Sequence, residues 1–197
     1  STVRVTNNGF QMTIGSDTFN VVVQVCKSGM LEANCSAYGN VYKPTGLMQD
    51  NINKMRFSAL GYLNVVGNNQ QGGALRARMK SLLGETTAEK NIELGAEIDA
   101  NGLFVTNPDT EDARKSNVTN SGVINYLNKF GDSGTYKTND PAAELYYTGL
   151  RYLRNRGFPT AYDNTGGQTA LDNFPMIKDW NDPLIKKGET LTSKAAM

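Results

Sequence analysis

Apolar residues recur with helical spacing over residues 139–157, which carry the strongest local pattern in the chain. Asp140 can cap the first turn, Pro141 suits the first helical position, and Gly157 suits a left-handed stop. The apolar stripe consists of Ala142, Leu145, Tyr146, Gly149, Leu150 and Leu153. The opposite side carries Glu144, Thr148, Arg151 and Asn155. The pattern therefore predicts an amphipathic helix whose apolar stripe covers a sheet.

Alternation of apolar and polar residues predicts strands in the first third of the chain. Val3 and Val5 alternate with polar residues ahead of Asn8-Gly9, a pair typical of a hairpin turn. Residues 19–25 and 56–66 are predicted strands, and the second is apolar on both faces, as in a sheet covered by helices. We therefore expect one central sheet that contains both segments.

Weaker patterns complete the predicted fold. Helices are expected to begin near Thr45 and near Ser121, the second with an apolar stripe that comprises Val123, Ile124, Leu127 and Phe130. Residues 86–118 predict loops with a small hairpin, and residues 183–197 predict a loosely held end. The expected fold class is a single α/β domain over residues 1–197, with a central sheet flanked by helices and extended by β-hairpins.

Composition excludes several function classes. The chain has no histidine, which removes the usual neutral-pH general base and the commonest zinc ligand. A net charge of +1 gives no bulk attraction to nucleic acid, so no nucleic-acid partner is expected. No apolar run approaches the roughly 18 residues that span a bilayer, so no transmembrane segment is expected. No cofactor is implied by these features.

The chain has two cysteines, Cys26 and Cys35. Their spacing does not match a CxxC pair, and no second pair exists to complete a metal site. A disulfide is the favoured use and would place the chain in an oxidising compartment, while two free thiols in a reducing compartment are the alternative.

A basic row lies in the sequence ALRARMK, where Arg76, Arg78 and Lys80 alternate with apolar residues. Alternation in a strand predicts one wet, basic face. Such a face can bind an anionic partner, or it can be a solvated strand face without a partner.

Oxygen-bearing side chains cluster in the polar loops as Asp99, Asn101, Asp109, Glu111 and Asp112. Calcium and magnesium prefer oxygen ligands, but the spacing does not match an EF-hand loop. Solvated turn acids are the alternative, and Ca²⁺ or Mg²⁺ binding has no further support.

Six strings in their order along the chain resemble the N-terminal region of the PilY/PilC family, the tip-associated adhesins of bacterial type IV pili. They are VQVCKSGMLEANCSAYGNVYKPTGLMQ, MRFSALGYLN, GGALRARM, SGVINYLNKFG, NDPAAELYYTGLRYLRNRG and NFPMIKDWNDP. The resemblance implies part of a von Willebrand factor A-like region and a disulfide between Cys26 and Cys35. The DxSxS string of the metal-dependent adhesion site in such domains is absent, so no metal ligands are carried over.

The resemblance also implies a location and a set of partners. The expected location is the bacterial cell surface at the pilus tip, reached through the periplasm and the outer membrane. The expected partners are minor pilins or other pilus components, the rest of the same adhesin chain, and a host or abiotic surface.

The expected function is therefore non-enzymatic binding in pilus biogenesis and surface attachment. The first alternative is a carbohydrate-binding module in which Tyr147, Tyr152 and Tyr162 stack on sugar rings. The second is a hydrolase that uses only carboxylates, for which the sequence places no acid pair at catalytic separation.

Overall fold

The computed structural model of the chain describes residues 2–6, 9–14, 16–21, 24–64, 73–129, 139–163 and 167–185. The strands are β1 Thr2–Thr6, β2 Gly9–Ile14, β3 Asp17–Val21, β4 Cys35–Tyr38, β5 Val41–Pro44, β6 Phe57–Gly61, β7 Ala74–Lys80, β8 Glu85–Thr86 and β9 Glu93–Leu94. The helices are α1 Leu47–Asp50, α2 Thr110–Lys115, α3 Val123–Asn128, α4 Ala142–Leu153 and α5 Gln168–Leu171, and a 3-10 turn covers Thr160–Tyr162.

The strands form four small antiparallel sheets rather than one central sheet. The sheet orders are β1-β2-β3, β4-β5, β6-β7 and β8-β9. The expectation that residues 19–25 and 56–66 share a sheet is wrong, because β3 pairs with β2 and β6 pairs with β7. Each strand pairs antiparallel with a strand next to it in sequence, and this pairing prevails over a wider sheet. The described residues thus form a mixed α/β fold with no parallel pairing and nothing specific to a von Willebrand factor A-like arrangement.

Several local predictions are confirmed. The N-terminal hairpin exists, since β1 and β2 pair from Thr2 opposite Thr13 to Thr6 opposite Gly9. Helices begin close to Thr45 and Ser121 as α1 and α3, although Leu127 of α3 is exposed and Phe130 lies outside the described residues. The small hairpin expected within residues 86–118 appears as the bridge between Ile98 and Phe104.

Two short helices were not predicted. Helix α2 lies in the stretch predicted as loops, and α5 follows Gly157, in a stretch for which no helix was predicted. Both are too short for a stripe of helical period, and α2 is built from polar residues. The predicted loose end also begins too early, because Pro183 and Ile185 are buried, while residues 186–197 lie outside the described ranges.

The core surrounds the β6-β7 pair. Helix α3 packs on both strands and α4 contacts β6. One cluster joins Ala59 and Ala77 to Val123, Tyr126 and Phe174, with Tyr126 and Phe174 edge to face at 5.3 Å. A second cluster is formed by Leu75, Tyr152, Ile177 and Trp180. Burial on both sides of β7 therefore depends on segments from the last quarter of the chain.

Helix α4 exists as predicted, but the buried face is not the one predicted. Thr148, assigned to the polar side, is fully buried, and so is Tyr152. The Thr148 hydroxyl donates to the Glu144 carbonyl at 3.0 Å, and the Tyr152 hydroxyl accepts from the Met79 backbone N–H at 2.9 Å. The polar atoms of this face are thus satisfied inside the fold, which removes the cost of burying them.

The ends of α4 also differ from the prediction. Pro141 occupies the N-cap position, and no side chain caps the helix. After the last turn Asn155 has a φ of 48°, and the Arg156 N–H donates to the Arg151 carbonyl at 2.9 Å. The helix therefore stops in a left-handed conformation two residues earlier than expected, at an asparagine, and Gly157 is left-handed as predicted, with a φ of 74°.

Candidate functional site

The basic row on β7 is buried, so the prediction of a wet face is wrong. Arg76, Arg78 and Lys80 are each 0% exposed. A buried cation in a protein is normally paired with a carboxylate, because desolvation of the isolated charge is costly. The alternation that indicates a solvated face in a single strand here marks a row of buried cations, of which Arg78 and Lys80 are paired with carboxylates.

Arg78 makes four hydrogen bonds inside the protein. Its Nε and one terminal nitrogen donate to the two Asp112 carboxylate oxygens at 2.8 and 3.0 Å. Its other terminal nitrogen donates to the Asp179 carbonyl at 2.7 Å and to the Asn181 side-chain oxygen at 2.8 Å. The bidentate pair joins β7 to α2, and the other two hydrogen bonds join β7 to the C-terminal segment.

Lys80 lies between two buried carboxylates. Its ammonium is 3.0 Å from Glu97 and 2.5 Å from Asp109, and it donates to the Gly95 carbonyl at 2.8 Å. Glu97 also accepts from the backbone N–H groups of Val123 at 2.8 Å and Ile124 at 3.2 Å, which caps α3. We call Lys80, Glu97 and Asp109 the buried triad.

The buried triad carries one more negative charge than positive charge when all three groups are ionised. Burial raises the pKa of Asp109 to about 6, against the lowering effect of Lys80. Glu97 and Asp109 are buried acids, the arrangement that would support the hydrolase alternative. They are, however, 0% and 2% exposed and both contact Lys80, so neither carboxylate is open to solvent.

The candidate metal ligands are not brought together in the described part of the chain. Asp99 accepts from the backbone N–H groups of Asn101 at 2.8 Å and Leu103 at 2.9 Å, which makes it a turn residue. The Asp109 carboxylate forms an ion pair with Lys80. The expectation that this chain takes no Ca²⁺ or Mg²⁺ stays a prediction.

The remaining acids of the predicted oxygen cluster also have local partners. Glu111 pairs with Arg114 at 2.8 Å on the surface of α2, and Asp112 pairs with the buried Arg78. Within the described ranges, only Cys26, Glu32 and Cys35 place three ligand atoms within 4.8 Å of one another. The two cysteines of that group are bonded to each other, so the group is a disulfide site.

The disulfide between Cys26 and Cys35 closes a loop ahead of β4. Cys26 is buried, and its backbone N–H donates to the Glu32 carboxylate at 2.9 Å. The loop exposes Met30 and Leu31 to solvent. The structure thus has the pairing that the sequence favours.

Most of the predicted apolar stripe of α4 is exposed and forms the candidate functional surface, whereas Leu145 and Gly149 of that stripe are partly buried. Tyr146 is 70% exposed, and Leu150 and Leu153 are each 41% exposed. These three residues recur at i, i+4 and i+7 on one side of the helix. We call them the α4 outer face. Arg154 is exposed at the end of the same helix.

Two of the three tyrosines proposed for sugar stacking lie next to each other. Tyr147 meets Tyr162 edge to face at 6.5 Å, and the Arg151 guanidinium lies 5.6 Å from the centre of the Tyr147 ring. Tyr152 is fully buried, so its proposed surface role is wrong. The sequence could not distinguish these residues, because all three lie on or near one helix and differ only in the direction they face.

Comparison with known proteins identifies the family of the chain. The family model described as "PilY1 homolog, second domain" matches residues 66–196. The "Type IV pilus biogenesis factor PilY1 homolog" of Xylella fastidiosa (strain Temecula1 / ATCC 700964) is 37% identical over 185 residues. The match covers 84% of this chain and 15% of the relative, so the chain spans a small part of that protein's length. No solved structure matches.

The matched segment begins after β6, although β6 pairs with β7 inside the matched segment. Among the residues that the structure describes, none of the helices has the length and apolar content needed to cross a membrane. The chain belongs to the family of PilY1 homologs, and residues 66–196 correspond to the second domain of that family.

Proposed function

We propose that the chain is a non-enzymatic binding domain of a type IV pilus biogenesis factor, and that it contacts another pilus component through the α4 outer face. The observation that carries the proposal is the exposure of Tyr146, Leu150 and Leu153 along one side of a helix whose other side is packed. A contiguous exposed apolar patch on a protein surface is typical of an interaction site. The 37% identical relative supplies the pilus context.

The strength of such a contact can be estimated from the exposed fractions. Full burial of a Leu or Tyr-sized side chain stabilises by about 1.5–3 kcal/mol, so covering the remaining exposed area of these three would contribute on the order of 3 kcal/mol. That free energy corresponds to more than about a hundredfold in affinity. The α4 outer face is thus large enough to decide whether a partner stays bound.

The disulfide supports a site of action outside the cytoplasm, because disulfides persist in the periplasm and at the cell surface. We propose that the domain works there as part of a longer protein. Minor pilins and the rest of the same chain are the proposed partners, and the pilus tip is the proposed location. Attachment to a host cell or an abiotic surface would then follow from where the pilus places the domain.

The test is a co-precipitation with minor pilins in the presence and absence of calcium. The variant carries Tyr146→Ser, Leu150→Ser and Leu153→Ser, and the matched control carries Met30→Ser, Leu47→Ser and Leu103→Ser at three other exposed apolar positions. We expect the α4 variant to lose the pilins and the control to retain them, with circular dichroism unchanged in both. Equal capture by the two variants would contradict the proposal.

Carbohydrate binding is the second candidate, and the adjacent Tyr147 and Tyr162 rings favour it. Aromatic side chains with a polar tip stack on sugar rings and hydrogen-bond their hydroxyls. A glycan array would identify a ligand, and Tyr147→Ala should abolish any signal that arises from this pair. A clean array with intact capture of minor pilins would leave protein binding as the function.

A further inference from the structure

The buried triad holds an amine against a carboxyl group in a closed site. The Lys80 ammonium lies 2.5 Å from Oδ1 of Asp109 and 3.0 Å from Glu97, and none of the three side chains is more than 2% exposed. The other Asp109 oxygen, Oδ2, is buried and has no hydrogen-bond partner among the described residues. Such an atom is costly in a native fold and needs an explanation.

The backbone fixes these side chains in place. The Gly95 N–H donates to the Pro108 carbonyl at 3.1 Å, which joins the segment before Glu97 to the segment before Asp109. The Gly95 carbonyl accepts from the Lys80 ammonium at 2.8 Å. The Lys80 nitrogen is thus held beside Asp109, which removes most of the entropic cost of a reaction between them.

The two acids of the triad have different surroundings. Glu97 accepts backbone N–H groups from Val123 at 2.8 Å and Ile124 at 3.2 Å, and these bonds to a carboxylate are charge-assisted. Burial raises the pKa of Asp109 to about 6, so its neutral carboxyl is populated near neutral pH. A neutral carboxyl can be attacked by an amine, whereas a carboxylate repels it. The site therefore combines an electrophile, a nucleophile and a base.

We propose that Lys80 and Asp109 condense to an intramolecular amide, with Glu97 as the group that transfers the proton. A proton first moves from the Lys80 ammonium to Asp109, and the neutral amine then attacks Cγ of the neutral carboxyl. The Nζ–Cγ bond forms, and Glu97 carries a proton from the nitrogen to the departing hydroxyl. The Cγ–Oδ2 bond breaks, and one water molecule leaves. The step needs no oxidant, reductant or other reactant.

The product removes both costs of the starting arrangement. The buried charges of Lys80 and Asp109 disappear, and the unpartnered oxygen leaves as water. The remaining charge is on Glu97, where the N–H groups at the start of α3 stabilise it. Bulk water is excluded from the site, which protects the amide from hydrolysis. The bond would connect residues 29 positions apart and join the end of β7 to the start of α2.

Two exposed ion pairs lack this arrangement and serve as internal controls. Lys90 pairs with Asp179, and Lys178 pairs with Asp163, and all four side chains are open to solvent. The hydrogen bond from Lys90 lowers the pKa of Asp179, which is the opposite of the shift at Asp109. Their carboxyl groups stay ionised at neutral pH, so we expect these pairs to remain ionic.

The test is the intact mass of the 197-residue chain, measured under denaturing, non-reducing conditions. We expect a mass below that of the disulfide-bonded sequence by one water molecule. Trypsin should cleave after Lys90 and Lys178 but not after Lys80, because cleavage requires a free lysine amine. The digest should contain residues 79–90 joined to residues 91–114 through Lys80 and Asp109, as a branched peptide with two amino termini. Hydroxylamine, which opens a succinimide, should leave the branch intact.

Variants assign the roles within the triad. Glu97→Gln removes the base and Lys80→Met removes the nucleophile, so both should keep the full mass. Glu111→Gln, at an exposed acid of α2, is the matched control and should lose water as the parent does. If Glu97→Gln does not fold, the branched peptide of the parent alone decides.

A parent of full mass, complete tryptic cleavage after Lys80, or a water loss that hydroxylamine reverses would overturn the proposal. Loss of water in Glu97→Gln would overturn the role of Glu97. The ionic contacts of the buried triad are those of the chain before condensation, and the intact mass shows which form a preparation contains. The inference does not depend on the α4 outer face.

Discussion

Replacing Lys80 by methionine removes the cation of the buried triad and keeps a side chain of similar length. Lys80 is 0% exposed, and its ammonium is shared by Glu97, Asp109 and the Gly95 carbonyl. Removal leaves two buried acids without their counter-ion. Breaking a buried ion pair from one side costs about 3–5 kcal/mol, because the desolvated partner stays uncompensated.

Arg114→Met, which breaks an exposed ion pair, is the control for the loss of unfolding free energy in Lys80→Met. Arg114→Met removes a cation that pairs with Glu111 at 2.8 Å, but the Arg114 side chain is 71% exposed. Exposed ion pairs contribute about 0–1 kcal/mol. We therefore expect Lys80→Met to lower the free energy of unfolding at least threefold more than Arg114→Met.

The assay is urea unfolding at pH 7.5, followed by circular dichroism. A thermal melt gives a second measure. For a chain of this size each 1 kcal/mol of unfolding free energy corresponds to about 2–4 °C in Tm, so the Tm of Lys80→Met should be roughly 10 °C below that of the parent. An unchanged slope of free energy against urea would show that the unfolded state is unaffected. If Lys80→Met costs no more than Arg114→Met, the ionic contacts of β7 do not support the fold and the reasoning is refuted.

Three further changes test other parts of the structure. Burial raises the pKa of Asp109 to about 6, so the folded state favours the protonated carboxyl. The stability that this proton contributes is fully present below the unfolded pKa near 3.8 and is lost as the pH rises through about 6. Asp109→Asn, which keeps the side chain neutral, should therefore stabilise the chain by up to about 3 kcal/mol at pH 8 and by less at pH 5. Gly61→Ala should destabilise by about 1–3 kcal/mol, because the new methyl would lie 1.7 Å from the Tyr126 hydroxyl. Reduction of the disulfide should cost about 2.5–3 kcal/mol.

Each of these changes has a measurement and a control. Urea unfolding of wild type and Asp109→Asn at both pH values gives the sign, and a gain that grows toward pH 5 would contradict the raised pKa. Gly149→Ala is the control for Gly61→Ala, because a methyl there meets no atom within 4 Å and should stabilise the helix by about 0.5–1 kcal/mol. Thermal melts with and without reductant measure the disulfide, and equal Tm values would disprove its role.

The sequence was most informative where the determinants are local. The hairpin predicted from Asn8-Gly9, the start of α3 near Ser121 and the position of α4 each depend on a few adjacent residues, and all three elements are confirmed, although Gly9 itself is the first residue of β2. Hairpin turns and helix starts are set by short-range chemistry, which one sequence contains in full.

The buried basic row of β7 could not be predicted, because its explanation lies far along the chain. The partners of Arg78 and Lys80 are acids 17 to 34 residues away in stretches that look like solvated loops. Alternating charge on a strand has the same pattern whether water or carboxylates face it.

The prediction for α4 was wrong about which side of the helix is buried, because most of its apolar side is exposed. The hydrophobic pattern assigned the inner side to Leu150 and Leu153, but the fold buries Thr148 and Tyr152. Their hydroxyls have partners inside the protein, so polarity did not exclude them from the core. The proposed function depends on the α4 outer face, whose residues are apolar, as in a core, but are exposed.

The most direct test of that function is photo-crosslinking from the α4 outer face in living bacteria. A photoreactive phenylalanine analogue at position 150 reports the partner of the outer face, and the same analogue at position 47, where Leu47 is 80% exposed, is the control. The account predicts a covalent adduct between position 150 and a pilus component, identified by mass spectrometry, and none from position 47. Adducts from position 47 alone, or no adduct with any pilus component from position 150, would contradict it.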